Sequence, residues 1–228
     1  MIQPPMMRNK TAVFGSAFFP PVQYFAHMIS HQEAMVEAHC NYSRQTFRNR
    51  YLISGANGIL PLTVPVEKVS GKKTKTKDIL ISYDTSWQEL HWRSIVSAYN
   101  ASPYFQFYDL DIEPFFNKKW KYLLDMNLAS VQSIIGCLGL NISISLTDEY
   151  LSGNNYLEDI RELIHPKKDY LIDRDFKSVA YRQVFEQKHG FLANLSILDL
   201  LFNKGPESLL VLNESIKSAT TNPEFKAD

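Results

Sequence analysis

The segment Ser54-Gly55-Ala56-Asn57-Gly58, between the apolar runs Tyr51–Ile53 and Ile59–Val66, constrains this chain more than any other feature. An Asn-Gly pair accepts positive φ, so the two runs are predicted to fold back as a β-hairpin. Upstream, Thr11–Phe19 reads as a strand that Pro20-Pro21 must end, because two prolines remove two successive ladder donors. Val22, Phe25, Met28 and Ile29 then recur at helical spacing toward Gln32, and Ala34–His39 reads as a second strand.

Beyond the hairpin, Lys72, Lys73, Lys75 and Lys77 form a short basic run read as solvated loop, followed by an expected strand over Asp78–Tyr83. The period then changes. Trp87, Leu90, Ile95 and Tyr99 mark a helix that Ser102-Pro103 breaks, and Tyr104–Leu110 is rich in aromatic residues. Leu123 to Leu138 carries a broad apolar face, the longest helix expected, closed by Gly139 and followed by a strand over Asn141–Leu146. Ser152–Lys177 is polar and is expected to run over the surface as loop and short helix. Helices are expected over Ser196–Asn203 and around Glu207–Leu212, with flexible termini at 1–10 and 213–228. The pattern points to one α+β domain over 11–212. A mixed sheet from the N-terminal half is packed by helices, with a helical C-terminal half; a doubly wound α/β sheet is the alternative, since strand and helix alternate early.

Charge narrows the function classes. Lys+Arg 24 against Asp+Glu 24 leaves no global cationic field, so nucleic acid is not an expected partner. The two cysteines, Cys40 and Cys137, sit in no CxxC or Cys/His cluster, which fits a reducing cytoplasm and signals no metal site. No run of about 18 apolar residues occurs, so no stable membrane insertion is expected. Glycine-rich phosphate loops, GxSxG and HExxH are absent, and no cofactor is signalled.

Three segments crowd polar residues against aromatic ones. In Asn41–Arg50, the guanidinium groups of Arg44, Arg48 and Arg50 with the amides of Asn41, Gln45 and Asn49 suit phosphate or carboxylate and sugar hydroxyls. The same arginines could instead pair with acids such as Glu37. In Ser86–Arg93, His91 lies four residues after Trp87 on one helical face, suited to general acid–base work or to a purely structural bond. In Gln187–Pro206, Asn194 or Ser196 can cap a helix whose first turn holds Asp199, while Lys188 and His189 flank the Gly190 turn as candidates for substrate contact.

Together these segments resemble the WbqC-like family, linked to O-antigen and other surface-polysaccharide gene clusters. The resemblance spans about Phe14 to Leu212. It is carried by Phe18-Phe19-Pro20-Pro21 with Gln23-Tyr24-Phe25, by Asn41-Tyr42 through Arg50, and by Leu62-Thr63-Val64-Pro65-Val66-Glu67-Lys68. Trp87, His91-Trp92, Ala98-Tyr99, Ser102-Pro103 and the block from Lys188-His189-Gly190-Phe191 to Asn203-Lys204-Gly205-Pro206 complete it. Gly15-Ser16 stands where many members have Gln-Pro, so no role of that glutamine transfers. The resemblance implies transfer of glycine or another acyl or aminoacyl group onto a sugar, with a sugar nucleotide or acyl donor as partner; a non-catalytic binding module of the same pathway is the alternative. On that basis Arg48 and Arg50 are expected to hold an anionic donor, Tyr24 and Tyr42 to stack on a ring, and Asn49 to read a hydroxyl. Gln45, Lys188, His189 and Asn194 add further substrate contacts. His91 is the expected base, with Asp199 orienting His91 or His189, around a hollow shared with Arg48 and Arg50.

Overall fold

The computed structural model describes residues 11–31, 33–68, 74–152 and 157–217. The first apolar run forms β1 (Thr11–Gly15), and the chain then turns through buried Ala17, Phe18 and Phe19 into α1 (Val22–Ile29) and β2 (Glu33–Glu37). β1 therefore stops short of Phe19, whose φ of 39° no strand accommodates. The hairpin forms as β3 (Arg50–Gly55) and β4 (Gly58–Thr63), with Ala56-Asn57 as its two-residue loop and Gly58 at φ 105°. Where a strand was expected at Asp78–Tyr83 there is a short 3-10 turn over Thr76–Asp78, then single bridges from Leu80 to Tyr122 and from Ile81 to Val66. Lys72 and Lys73 lie outside the described residues.

α2 (Trp87–Tyr99), α3 (Phe105–Ile112) and α4 (Pro114–Asn117) follow, and α5 (Leu123–Cys137) ends against Gly139 at φ 63° as its composition predicts. Then come β5 (Ser143–Leu146) and β6 (Leu157–Asp159). β6 lies in the segment expected to be loop. Three residues with two acids give no strand signal alone, and the strand exists because it pairs with β1. The chain finishes with α6 (Glu186–His189), α7 (Ile197–Lys204) and α8 (Ser208–Ser215). α8 outruns the expected end at Leu212, and Ile216 beyond it is buried in a bridge to Phe176.

The fold is α+β, with parallel and antiparallel pairing in separate sheets. β5-β2-β1-β6 is wholly parallel, whereas β3 and β4 pair antiparallel. Read by chain order, the parallel sheet runs third, second, first, fourth, the order of the first four strands of a doubly wound sheet. Its connections reverse between β1 and β6, and in such sheets ligands bind outside the strands' carboxyl ends at that reversal. An aromatic cluster of Phe18, Phe19, Tyr51, Phe115 and Phe116 joins hairpin to helices, with ring centroids 4.5–6.3 Å apart. α7 is deeply enclosed, with Ile197 through Phe202 all at 0% exposure. Gly205 at its end has φ 51°, and a Cβ there would lie 2.5 Å from the Tyr104 ring.

Candidate functional site

The reversal point is built from the ends of β1 and β6. Gly15, Ser16, Tyr24 and Arg161 line a narrow recess there with Arg48 and His165. The recess lies beside a wider hollow of about 390 Å³ that shares Thr46, Arg48 and His165 with it and is further lined by His39, Cys40, Asn41, Lys75 and Tyr150. Arg48 stands between the two. Its backbone is fixed from α5, where Asn127 Nδ2 donates both to the Arg48 carbonyl at 2.8 Å and to Ser16 Oγ at 2.7 Å. Phe18 N–H also bonds the Phe47 carbonyl at 3.0 Å.

The Arg48 side chain is 8% exposed, yet its bonds are weak: Nη1 to Thr46 Oγ1 and Nη2 to Cys40 Sγ, both at 3.4 Å. Nε is buried with no acceptor. Among the described residues no carboxylate lies within ion-pair distance of it. Glu37, the acid anticipated for these arginines, is engaged elsewhere. Its Oε2 takes Arg161 Nη1 at 2.8 Å and Leu151 N–H at 3.2 Å; its Oε1 takes His39 N–H at 2.8 Å and the Thr147 hydroxyl at 3.1 Å. Arg161 also grips Asp159 through Nε and Nη2, and these bonds hold the Asp159 carboxyl below its usual range. Arg161 is thus neutralised, whereas among the described residues Arg48 has no ion-pair partner, although Glu162 lines the same hollow. A buried guanidinium without a counter-charge is costly, and an anionic ligand is the group that relieves it.

Of the other groups around the hollow, His165 and Tyr150 suit such a ligand, whereas the Glu162 carboxylate opposes it. His165 Nδ1 accepts the Lys167 N–H at 3.1 Å, which leaves Nε2–H as a donor, and burial lowers the ring's pKa. Tyr150, 54% exposed with Arg161 over its ring at 5.2 Å, offers a stacking face at the mouth. The N-terminus of α1 takes no part, because Leu195 O and Asn194 Oδ1 accept from Val22 N–H and Gln23 N–H. Among the described residues no group of three or more His, Cys, Asp or Glu side chains is disposed to hold a metal ion.

The anticipated site does not assemble as one hollow. His91 is 2% exposed in α2, with Nδ1 at 3.2 Å from the Tyr51 hydroxyl and its ring against Trp87 and Phe116. Burial pushes its pKa down to about 4, partly offset by the Thr63 backbone. It borders a different hollow, lined by Pro61, Leu62, Trp87 and Leu90, in whose lining Arg48 has no part. Asp199 orients neither histidine. It is fully buried and accepts from Tyr99 and Tyr181 hydroxyls at 3.0 and 2.8 Å and from Gln183 Nε2 at 2.7 Å. Burial lifts its carboxyl to about 6 against the pull of those three donors.

The remaining candidates divide. Tyr24 is in the recess, but its hydroxyl is bound to the Gly15 carbonyl and its ring is 3% exposed, so it forms wall and offers no stacking face. Tyr42 has a buried hydroxyl lacking a partner; burial lifts it to about 12 although Arg48 and Arg44 act the other way. Asn49 binds the Val64 carbonyl and Arg50 Nε binds Thr63 Oγ1, both bracing the hairpin. Gln45 is an exposed turn residue at φ 58°. Lys188 Nζ and His189 Nε2 both bind the Ala56 carbonyl at the hairpin loop, and Asn194 caps α1. Cys40, His165, Asn127 and Tyr150 were missed. They carry no local motif and meet only through the sheet order.

A family model described as WbqC-like protein family matches residues 16–170. The chain belongs to the WbqC-like protein family. Uncharacterized protein Rv1507c of Mycobacterium tuberculosis is 24% identical over 222 residues, covering 88% of this chain and 96% of that protein. No solved structure matches the chain. For this WbqC-like protein, the matched span begins just after β1 and includes Ser16, Arg48, Asn127, Arg161 and His165, so the recess lining falls within it apart from Gly15.

Proposed function

We propose that this WbqC-like protein is a transferase of surface-polysaccharide (O-antigen) assembly that moves an acyl or aminoacyl group onto a sugar in the cytoplasm. In this reading Arg48 holds the phosphate or diphosphate of a sugar nucleotide or activated acyl donor, with Tyr150 and His165 as neighbouring contacts. The observation that carries it is the buried Arg48 guanidinium, without an ion-paired carboxylate among the described residues, at the carboxyl ends of a parallel sheet. The resemblance to polysaccharide-linked proteins supports the sugar as acceptor.

The position of His91 in a separate hollow favours a second reading, a non-catalytic module that binds a sugar nucleotide at the same place. Calorimetric titration with a panel of nucleoside-diphosphate sugars, on wild type and Arg48→Met, tests the shared part. Binding that Arg48→Met abolishes is expected, and equal binding by both proteins refutes the site. Mass spectrometry of amino-sugar acceptors incubated with protein and acyl donors then separates the two: an acylated sugar supports the transferase, and binding without product supports the module.

A further inference from the structure

Cys40 shares the hollow with Arg48. Its half-buried Sγ accepts from Arg48 Nη2 at 3.4 Å and lies 3.1 Å from Thr76 Oγ1, at the wall formed just beyond β2. Cysteine is an intrinsically strong nucleophile toward acyl carbon. Here it sits against a buried guanidinium whose Nε has no acceptor, so one cation faces both the thiol and any anion that enters.

We infer that Cys40 is the nucleophile of this hollow and carries the acyl group as a thioester between donor and sugar. The inference rests on the transferase reading above. The thiol sulfur attacks the carbonyl carbon of an acyl-phosphate-type donor. The C–S bond forms, the C–O bond to phosphate breaks, and the phosphate leaves with the electron pair onto Arg48. The thiol proton passes to the imidazole of His39, which lines the same hollow and then releases it to the departing phosphate. In the second half the sugar's amine or hydroxyl attacks the thioester carbon. The new C–N or C–O bond forms as C–S breaks, and the acceptor's proton restores the thiol. Arg48 is placed to stabilise the leaving group and the oxyanion that develops at each stage.

Cys137 is an internal control. It is half-buried on α5, and burial with Asp111 nearby raises its thiol to about 11. Full-length wild type, Cys40→Ser, Cys137→Ser and Arg48→Met are incubated with acetyl phosphate, and acetylated peptides are mapped before and after hydroxylamine, which cleaves thioesters. One labile acetyl group on Cys40 is expected in wild type and Cys137→Ser. Cys40→Ser lacks it, and Arg48→Met forms it about a hundredfold more slowly. Label on Cys137 at the same rate, or no labile label on Cys40, overturns the inference. The thermal shift given by inorganic phosphate is measured on the same samples. If phosphate still stabilises wild type and Cys40→Ser while no thioester forms, the covalent step falls and the Arg48 anion site stands; if phosphate stabilises neither, both fall.

Discussion

Arg48→Met should make the unliganded protein more stable while removing its response to anions. Of the two hydrogen bonds lost, the one to Thr46 Oγ1 is long for N–H···O at 3.4 Å and the one to Cys40 Sγ goes to a weak acceptor, so each contributes about 0.5 kcal/mol. Against them stands the guanidinium of a residue only 8% exposed, with no ion-pair partner among the described residues, whose desolvation costs several kcal/mol. Methionine keeps most of the stem's packing without the charge. The balance favours the variant by about 1 kcal/mol or more, which for a domain of this size is a rise in Tm of roughly 2–4 °C per kcal/mol. Wild type with phosphate or a nucleoside diphosphate at about 100 times its Kd should gain about 2.7 kcal/mol, and the variant nothing. Differential scanning calorimetry with and without ligand reads both effects. A variant whose Tm falls by several degrees without ligand would mean that Arg48 is a structural strut, and the anion-site argument would lose its foundation.

Three further outcomes test the surrounding structure. His91→Leu should keep phosphate and nucleotide binding while losing about 1–3 kcal/mol of stability from the stranded Tyr51 hydroxyl, measured by urea unfolding and titration; lost binding with an intact fold would restore His91 to the site. Burial disfavours the ionised Asp173, but bonds from His27 and Gln23 outweigh it and hold its carboxyl at about 2, so it adds stability that is full above about pH 4 and lost as pH falls toward 2. Asp173→Asn should therefore flatten the acid limb of the stability–pH curve by about 2 kcal/mol, and an unchanged limb counts against that pairing. Gly205→Ala must place a Cβ into the Tyr104 ring at φ 51° and should cost at least about 2 kcal/mol by the same unfolding assay, whereas a neutral result would show the α7 terminus to be pliable.

Much of the fold was legible because it is written locally. The hairpin follows from an Asn-Gly pair between apolar runs, α5 from its apolar face and Gly139, and α1 from its spacing after Pro20-Pro21. The site was legible only in part. Arg48 was singled out from its segment, but its freedom depends on Arg161 taking Glu37 across 124 positions of sequence. Residue spacing does not disclose such a competition between two arginines for one carboxylate. The Trp87–His91 spacing did place the two rings together, at 5.1 Å, but the seal over His91 comes from Tyr51 on the hairpin, an element folded against α2 by tertiary packing. Asn194 and Ser196 were both readable as caps of the helix beginning at Ile197. Ser196 is that cap, and Asn194 serves the first helix instead.

The clasp between α1 and the 194–196 segment bears on how the protein is made. Ser196 reaches Phe19 across 177 positions, and Asn194 reaches Gln23 across 171. Leaving the ribosome, the start of the first helix therefore waits for its covering segment until residues 194–196 have been synthesised. Contacts this distant in sequence slow folding and prolong exposure to aggregation, so the nascent chain is a natural client for chaperones that shield early segments.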